Sequence, residues 1–197
     1  MNYLAHLLLA EDTPGSMVGS LAPDFLRGCS YRAPNNAVLA GMDRHYATDR
    51  FTDAHPVVAR SKRRISHVHG RYSGVIMDVL YDHFLSNNWS LYCHEPLTEF
   101  VSRVYSILNT HLEWCPPRLQ EVLPYMQRQN WLLSYGSQEG IALTLERMSS
   151  RVGRGIRLET AVEQMVLHSA ALDEDFRAFF PEVVSAVRGD PPGSRSL

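Results

Sequence analysis

Apolar residues recur at three- and four-residue intervals through most of this chain, while alternating runs rich in Val, Ile and Thr are scarce. The pattern predicts helices. It marks residues 2–10, 16–27 with an interruption at Pro23, 36–54, 57–69, 72–87 and 95–112. Shorter segments cover 117–128, 131–135 and 138–149, and a long region, 158–187, contains Pro181 and is expected to kink there. Pro56 closes the third segment because a proline disfavours helix at the residue before it, and Gly70 is placed to end the fourth. The expected architecture is all-α, a single-domain multi-helix bundle over residues 1–188, followed by a flexible tail at 189–197 rich in Gly, Pro and Ser.

Large side chains at helical spacing are read as core: Trp89, Trp114, Trp131, Phe176, Phe179 and Phe180, with Met126, Met148 and Met165. His55, His67, His69, His94, His111 and His168 are read as surface or structural. Composition agrees with a globular domain, since 197 residues at 45% hydrophobic and 20% charged can bury a full core. The net charge of −2 gives no overall field that would advertise nucleic acid or membrane as a partner. Cys29, Cys93 and Cys115 are widely spaced and form no CxxC pair, which excludes a disulfide scaffold and a structural zinc site. The apolar opening stops at Glu11 and Asp12 without a basic leader, and no stretch is long enough to span a bilayer. A soluble cytoplasmic protein is expected.

One segment breaks its own pattern. From Gly74 to Leu85 the helix is apolar nearly all round, the mark of burial on most faces, yet it carries Asp78, Asp82 and His83. A buried carboxylate must neutralise, pair with a cation or bind metal. Asp78 and Asp82 share a stripe, about 6 Å apart along the axis, and His83 is turned by about 100° from Asp82. The alternative to metal is a buried salt bridge to arginine. A related pattern lies on the third helix, where His45, Asp49 and Asp53 are successive i,i+4 neighbours beside Thr52, a stripe that fits either divalent-ion ligands or a solvated face. Asn2 and His6 also share a face, and Asp24 follows Pro23 where capping is the commoner role. Together these form an imidazole and carboxylate set without thiolates, suited to Mn²⁺, Mg²⁺ or Fe²⁺ more than to structural zinc. Such an ion serves phosphoester hydrolysis. A G-x-S-x-G elbow, a P-loop and a dinucleotide-binding glycine fingerprint are absent.

Several ordered motifs carry a resemblance. The opening Met-Asn-Tyr-Leu-Ala-His-Leu is followed by Gly19-x-Leu-x-x-Asp24-Phe-x-Arg27-Gly28 and His45-x-x-x-Asp49-x-x-Thr52-Asp53-x-x-Pro56. Asp78-Val-x-x-Asp82-His83-Phe-Leu-x-x-x-Trp89 and Met148-x-Ser-Arg151 complete the set. Together they resemble the acyl-carrier-protein phosphodiesterases, densely over the first ninety or so residues and thinly afterwards. The resemblance implies a helical, HD-domain-like hydrolase that cleaves the phosphodiester between 4′-phosphopantetheine and a serine of holo-acyl carrier protein. It also implies Mn²⁺ as the preferred ion, with Mg²⁺, Fe²⁺ and Co²⁺ as alternatives. The HD signature carries a His-Asp dipeptide, whereas here the order is reversed as Asp82-His83. The metal ligands expected on this basis are Asp24, His45, Asp49, Asp82 and His83. His6, Asp53 and Asp78 would orient ligands or move protons, and Asn2 and Arg27 would contact the phosphate.

Carrier proteins of this type are acidic, and the densest basic run, Arg60, Lys62, Arg63 and Arg64 continuing to Arg71, offers a docking face. Two other readings stand beside this one. They are an HD-type phosphohydrolase of nucleotides or other small phosphoesters, and a non-catalytic helical adaptor whose acids are salt-bridged.

Overall fold

The computed structural model describes residues 1–153 and 155–188, and no strand occurs among them. The expected tail, 189–197, lies outside the described residues. In chain order the helices are α1 (Tyr3–Leu9), α2 (Pro14–Leu21), α3 (Asn36–Ala54), α4 (Pro56–His69), α5 (Ser73–Asn87) and α6 (Leu97–Thr110). They continue as α7 (Pro117–Arg128), α8 (Trp131–Ser134), α9 (Gln138–Val152), α10 (Ala161–Leu167) and α11 (Ser169–Arg188). Local chemistry sets several starts. Thr13, Asn35 and Ser137 accept backbone N–H groups of Ser16, Val38 and Gly140, and Pro14, Pro56 and Pro117 sit where a missing N–H costs nothing.

The long C-terminal region is not one helix. It breaks at His168, and Pro181 lies inside α11. The break lets each piece bury its own face: α10 turns in Ala161 and Met165, α11 turns in Leu172, Phe176, Phe179 and Phe180, and Leu167 is left in solvent. Core and sequence pattern agree on α5, buried almost continuously from Ile76 to Leu85. Tyr81 meets Phe176 and Phe179 of α11 with ring centroids 5.5 Å apart in each case. Trp89 and the three α11 phenylalanines are core as expected, but Trp131 and Met148 are only partly buried and line a cleft.

The closest helix pair is α2 with α3. A Cβ on Gly19 would stand 2.2 Å from the Val38 carbonyl oxygen and 2.8 Å from Gly41 Cα, and one on Gly41 would stand 2.6 Å from the Ser16 carbonyl oxygen. Only glycine permits backbones this close. The approach puts the end of α2 against the His45 side of α3.

Candidate metal centre

The centre begins with how α1 is anchored. Asn2 holds the extended backbone of an N-cap, but its side chain makes no capping bond. Asp82 of α5 caps instead, accepting the Leu4 N–H at 2.8 Å through Oδ2 and the Ala5 N–H at 3.1 Å through Oδ1. Burial pushes this carboxyl up to about 7, against the opposing pull of the two amide donors. The cap holds α1 on α5, so that His6, one turn further, faces α3.

On α3, the i,i+4 spacing stacks His45 and Asp49 on one stripe. The Ser20 carbonyl, delivered by the glycine contact, accepts from His45 Nδ1 at 2.8 Å. With its proton assigned to Nδ1, the ring directs Nε2 toward Asp49 Oδ2 at 3.1 Å and Asp24 Oδ1 at 3.9 Å. His6 Nε2 lies 3.2 Å from Asp49 Oδ1, and its ring stacks on His45 with centroids 3.9 Å apart. Donor atoms of His6, His45 and Asp49 all fall within 4.8 Å of one another. The Met1 amino group donates to Asp49 Oδ1 at 3.3 Å and Asp78 Oδ1 at 3.0 Å.

Electrostatics at the cluster are unusual. Burial drives His6 down to about 3, so this ring is neutral; its Nδ1 is buried without a hydrogen-bond partner. For His45, burial also opposes the charge, but Asp49 and Asp24 outweigh it and raise the ring above its ordinary value. Burial works against the Asp49 charge too, and bonds to His45 and His6 overcome that, holding its carboxyl well below the usual range. The protein around Asp24 pushes its carboxyl up to about 6, with His45 opposing and Asp49 adding. No lysine or arginine side chain pairs with Asp24, Asp49 or Asp78 among the described residues. An unprotonated Nε2 cannot rest 3.1 Å from a carboxylate oxygen without repulsion. Something positive must sit between them, a proton or a metal ion. Two imidazoles and a carboxylate without thiolate match a divalent first-row ion, so the residues present fit such a group.

The structure redirects several expected residues. Asp82 uses both oxygens on the α1 amides, and His83 turns away, with Nδ1 2.8 Å from the Tyr135 carbonyl oxygen and Nε2 3.0 Å from Asn87 Nδ2. Neither joins the His6, His45 and Asp49 group, because adjacent positions on a helix diverge by about 100° and buried α5 faces different neighbours there. Asp53, one turn beyond Asp49, is 73% exposed and pairs with Lys62 at 2.8 Å. Asp78 touches the group through the Met1 amino group, Asp24 stands at its rim, and His6 lies within it rather than behind it. Arg27 is exposed beyond the 3-10 turn that carries Asp24, and Asn2 lines the neighbouring cleft. In the basic run, Arg60 and Arg64 bond to Asp175 and Lys62 to Asp53. The sequence reading missed Ser20 as the orienting acceptor for His45. The signal was present in Gly15-x-x-x-Gly19, a small-residue ridge that lets a facing helix come close.

These features define a class: an all-α protein with two buried imidazoles and a partly exposed carboxylate converging as a candidate metal site. Comparison with known sequences is more specific. The family model for acyl carrier protein phosphodiesterase matches residues 1–183. Acyl carrier protein phosphodiesterases of Photorhabdus laumondii and Serratia proteamaculans are similar at 35% and 33% identity, the alignments covering 92% and 95% of this chain and 92% and 98% of theirs. That of Escherichia coli O157:H7 is 33% identical, over 94% of this chain and 96% of its own. The chain belongs to the acyl carrier protein phosphodiesterase family. No solved structure matches it. No helix among the described residues is long and apolar enough to cross a membrane.

Proposed function

We propose that this chain hydrolyses the phosphodiester joining 4′-phosphopantetheine to the serine of holo-acyl carrier protein, releasing apo-carrier and the free arm. His6, His45 and Asp49 would hold a divalent ion, Mn²⁺ by preference, with Asp24 at the rim as a further oxygen donor. When bound, such an ion lowers the pKa of water and offsets charge developing on the phosphoryl oxygens. The chain's own residues prepare the site. Ser20 fixes the His45 tautomer, Asp49 ties the two stacked rings together, and Asp82 holds the start of α1 so that His6 stays in register. Asn2 and Arg27 remain the phosphate contacts of this reading, and Asp78 orders the Met1 end of the centre.

The observation that carries the proposal is the convergence of His6, His45 and Asp49, whose donor atoms lie within 4.8 Å of one another with no guanidinium among them. Family membership favours a carrier protein over nucleotides as substrate. Carrier docking on the basic run falls chiefly to exposed Arg63, since its neighbours are engaged in ion pairs. The test is incubation of the purified chain with holo-acyl carrier protein and Mn²⁺, followed by intact-mass measurement, with chelator and nucleotide-diester controls. Loss of the arm only in the metal-containing sample supports the reading. An unchanged carrier mass overturns it.

A further inference from the structure

A narrow cleft of about 80 Å³ opens beside the metal centre, between the start of α1 and helices α8 and α9. Its lining combines Trp131, Met148, Tyr135 and Thr144 with two arginines, Arg147 and Arg151. No carboxylate lines it. Neither arginine is in an ion pair among the described residues, in contrast to Arg60 and Arg64. Arg147 lies over the Trp131 ring at 5.0 Å, which holds its charge at the cleft wall.

The cleft is continuous with the centre along the backbone. Asn2 and Tyr3 line it, while the Asn2 carbonyl accepts the His6 N–H at 3.2 Å and the preceding residue touches Asp49. A ligand suited to these walls has an anionic head for Arg147 and Arg151 and a slender chain to pack on Trp131.

We propose that this cleft seats the phosphate-proximal part of the 4′-phosphopantetheine arm, Arg151 and Arg147 meeting its negative charge and Trp131 packing along its chain. The assignment rests on the reading of the chain as a carrier-protein phosphodiesterase. It places arm recognition on α8 and α9, away from the basic run of α4.

The test titrates the purified full chain with 4′-phosphopantetheine, pantetheine and inorganic phosphate, following heat and tryptophan fluorescence. Saturable binding of 4′-phosphopantetheine is expected, with pantetheine and phosphate each weaker. Arg151→Gln and Arg147→Gln should each weaken it by about tenfold, the worth of one charge-assisted hydrogen bond. Trp131→Phe should abolish the fluorescence change. With holo-carrier as substrate, Arg151→Gln should raise KM while bound metal and far-ultraviolet circular dichroism stay unchanged. Wild-type affinity in both arginine variants, or phosphate binding as tightly as the full arm, overturns the assignment. Arginine-dependent binding by a wild-type chain that releases no arm from holo-carrier would leave the cleft standing and remove the hydrolase reading. Turnover that is indifferent to both arginine variants would do the reverse.

Discussion

Asp175 and Asp49 are both held by partners from other helices, and they are satisfied in different ways. Asp175 on α11 is 2% exposed and receives Arg60 at 2.5 Å, Arg64 at 3.2 Å and the Ser61 hydroxyl at 2.8 Å, all from α4. It has a full complement of donors and fastens α11 to α4. Asp49 on α3 receives imidazoles and an amino group but no guanidinium. Asp175 is riveted by guanidiniums in a dry setting, whereas Asp49 is 38% exposed and meets two imidazoles and the Met1 amino group, a donor set that a metal ion can enter.

The sharpest way to break this contrast is to neutralise each acid in turn. Asp49→Asn should lower turnover of holo-carrier by about 1,000-fold, because a metal site contributes several kcal/mol to the transition state. Bound metal should fall with it while the thermal midpoint moves little, and normal metal content with normal turnover would remove Asp49 from the centre. Asp175→Ala should do the opposite. Two guanidiniums lose their buried partner, at a cost of about 2–3 kcal/mol in urea unfolding, below the full buried-pair range because Arg60 and Arg64 are 48% and 31% exposed. Activity below the unfolding temperature should survive.

Acid titration sharpens the comparison further. Burial works against the Asp175 charge, yet Arg60, Ser61 and Arg64 hold its carboxyl below the ordinary 3.8. A folded-state value below the unfolded one stabilises the native state above pH 3.8 and loses that effect as pH falls through the folded value. Asp175→Asn should therefore flatten the stability curve on that acid limb, and an unchanged limb would mean that the pair contributes nothing there.

Two smaller effects test the setting of each group. Gly19→Ala would press a methyl group against the Val38 carbonyl and the α3 backbone, so α2 must move off and take Ser20 from His45. A stability loss of about 1–3 kcal/mol is expected, with reduced metal affinity; a drop in stability with unchanged affinity would show that Ser20 does not orient the ring. Arg63→Glu should raise KM for the acidic carrier by roughly threefold at low ionic strength, a difference that fades at high salt. No change at low salt would take carrier docking off α4.

Much of the fold was legible because helix signals are local. The bounds of α3 and α7 match the apolar spacing and proline positions residue for residue, and the all-apolar stretch with embedded acids did identify α5 as the central buried helix. The C-terminal region misled because Pro181 was the only visible breaker, whereas the break at His168 answers to how two faces are buried. At the centre, the pairing of His45 with Asp49 could be read from i,i+4 spacing. The fates of Asp53, Asp82 and His83 could not. All three sit at metal-like spacings, and what distinguishes them is a partner on another element: Lys62 of α4 for Asp53, the α1 amides for Asp82, the Tyr135 carbonyl for His83.

Sequence alone therefore determined the helical class, the family resemblance and the supply of imidazoles and carboxylates, since periodicity and motif are properties of neighbours along the chain. Only the packed structure decided which acids meet arginine, which cap a helix and which converge with His6. Those outcomes depend on contacts between residues tens of positions apart, and the close approach of α2 and α3 through glycine is the physical step that makes the convergence possible.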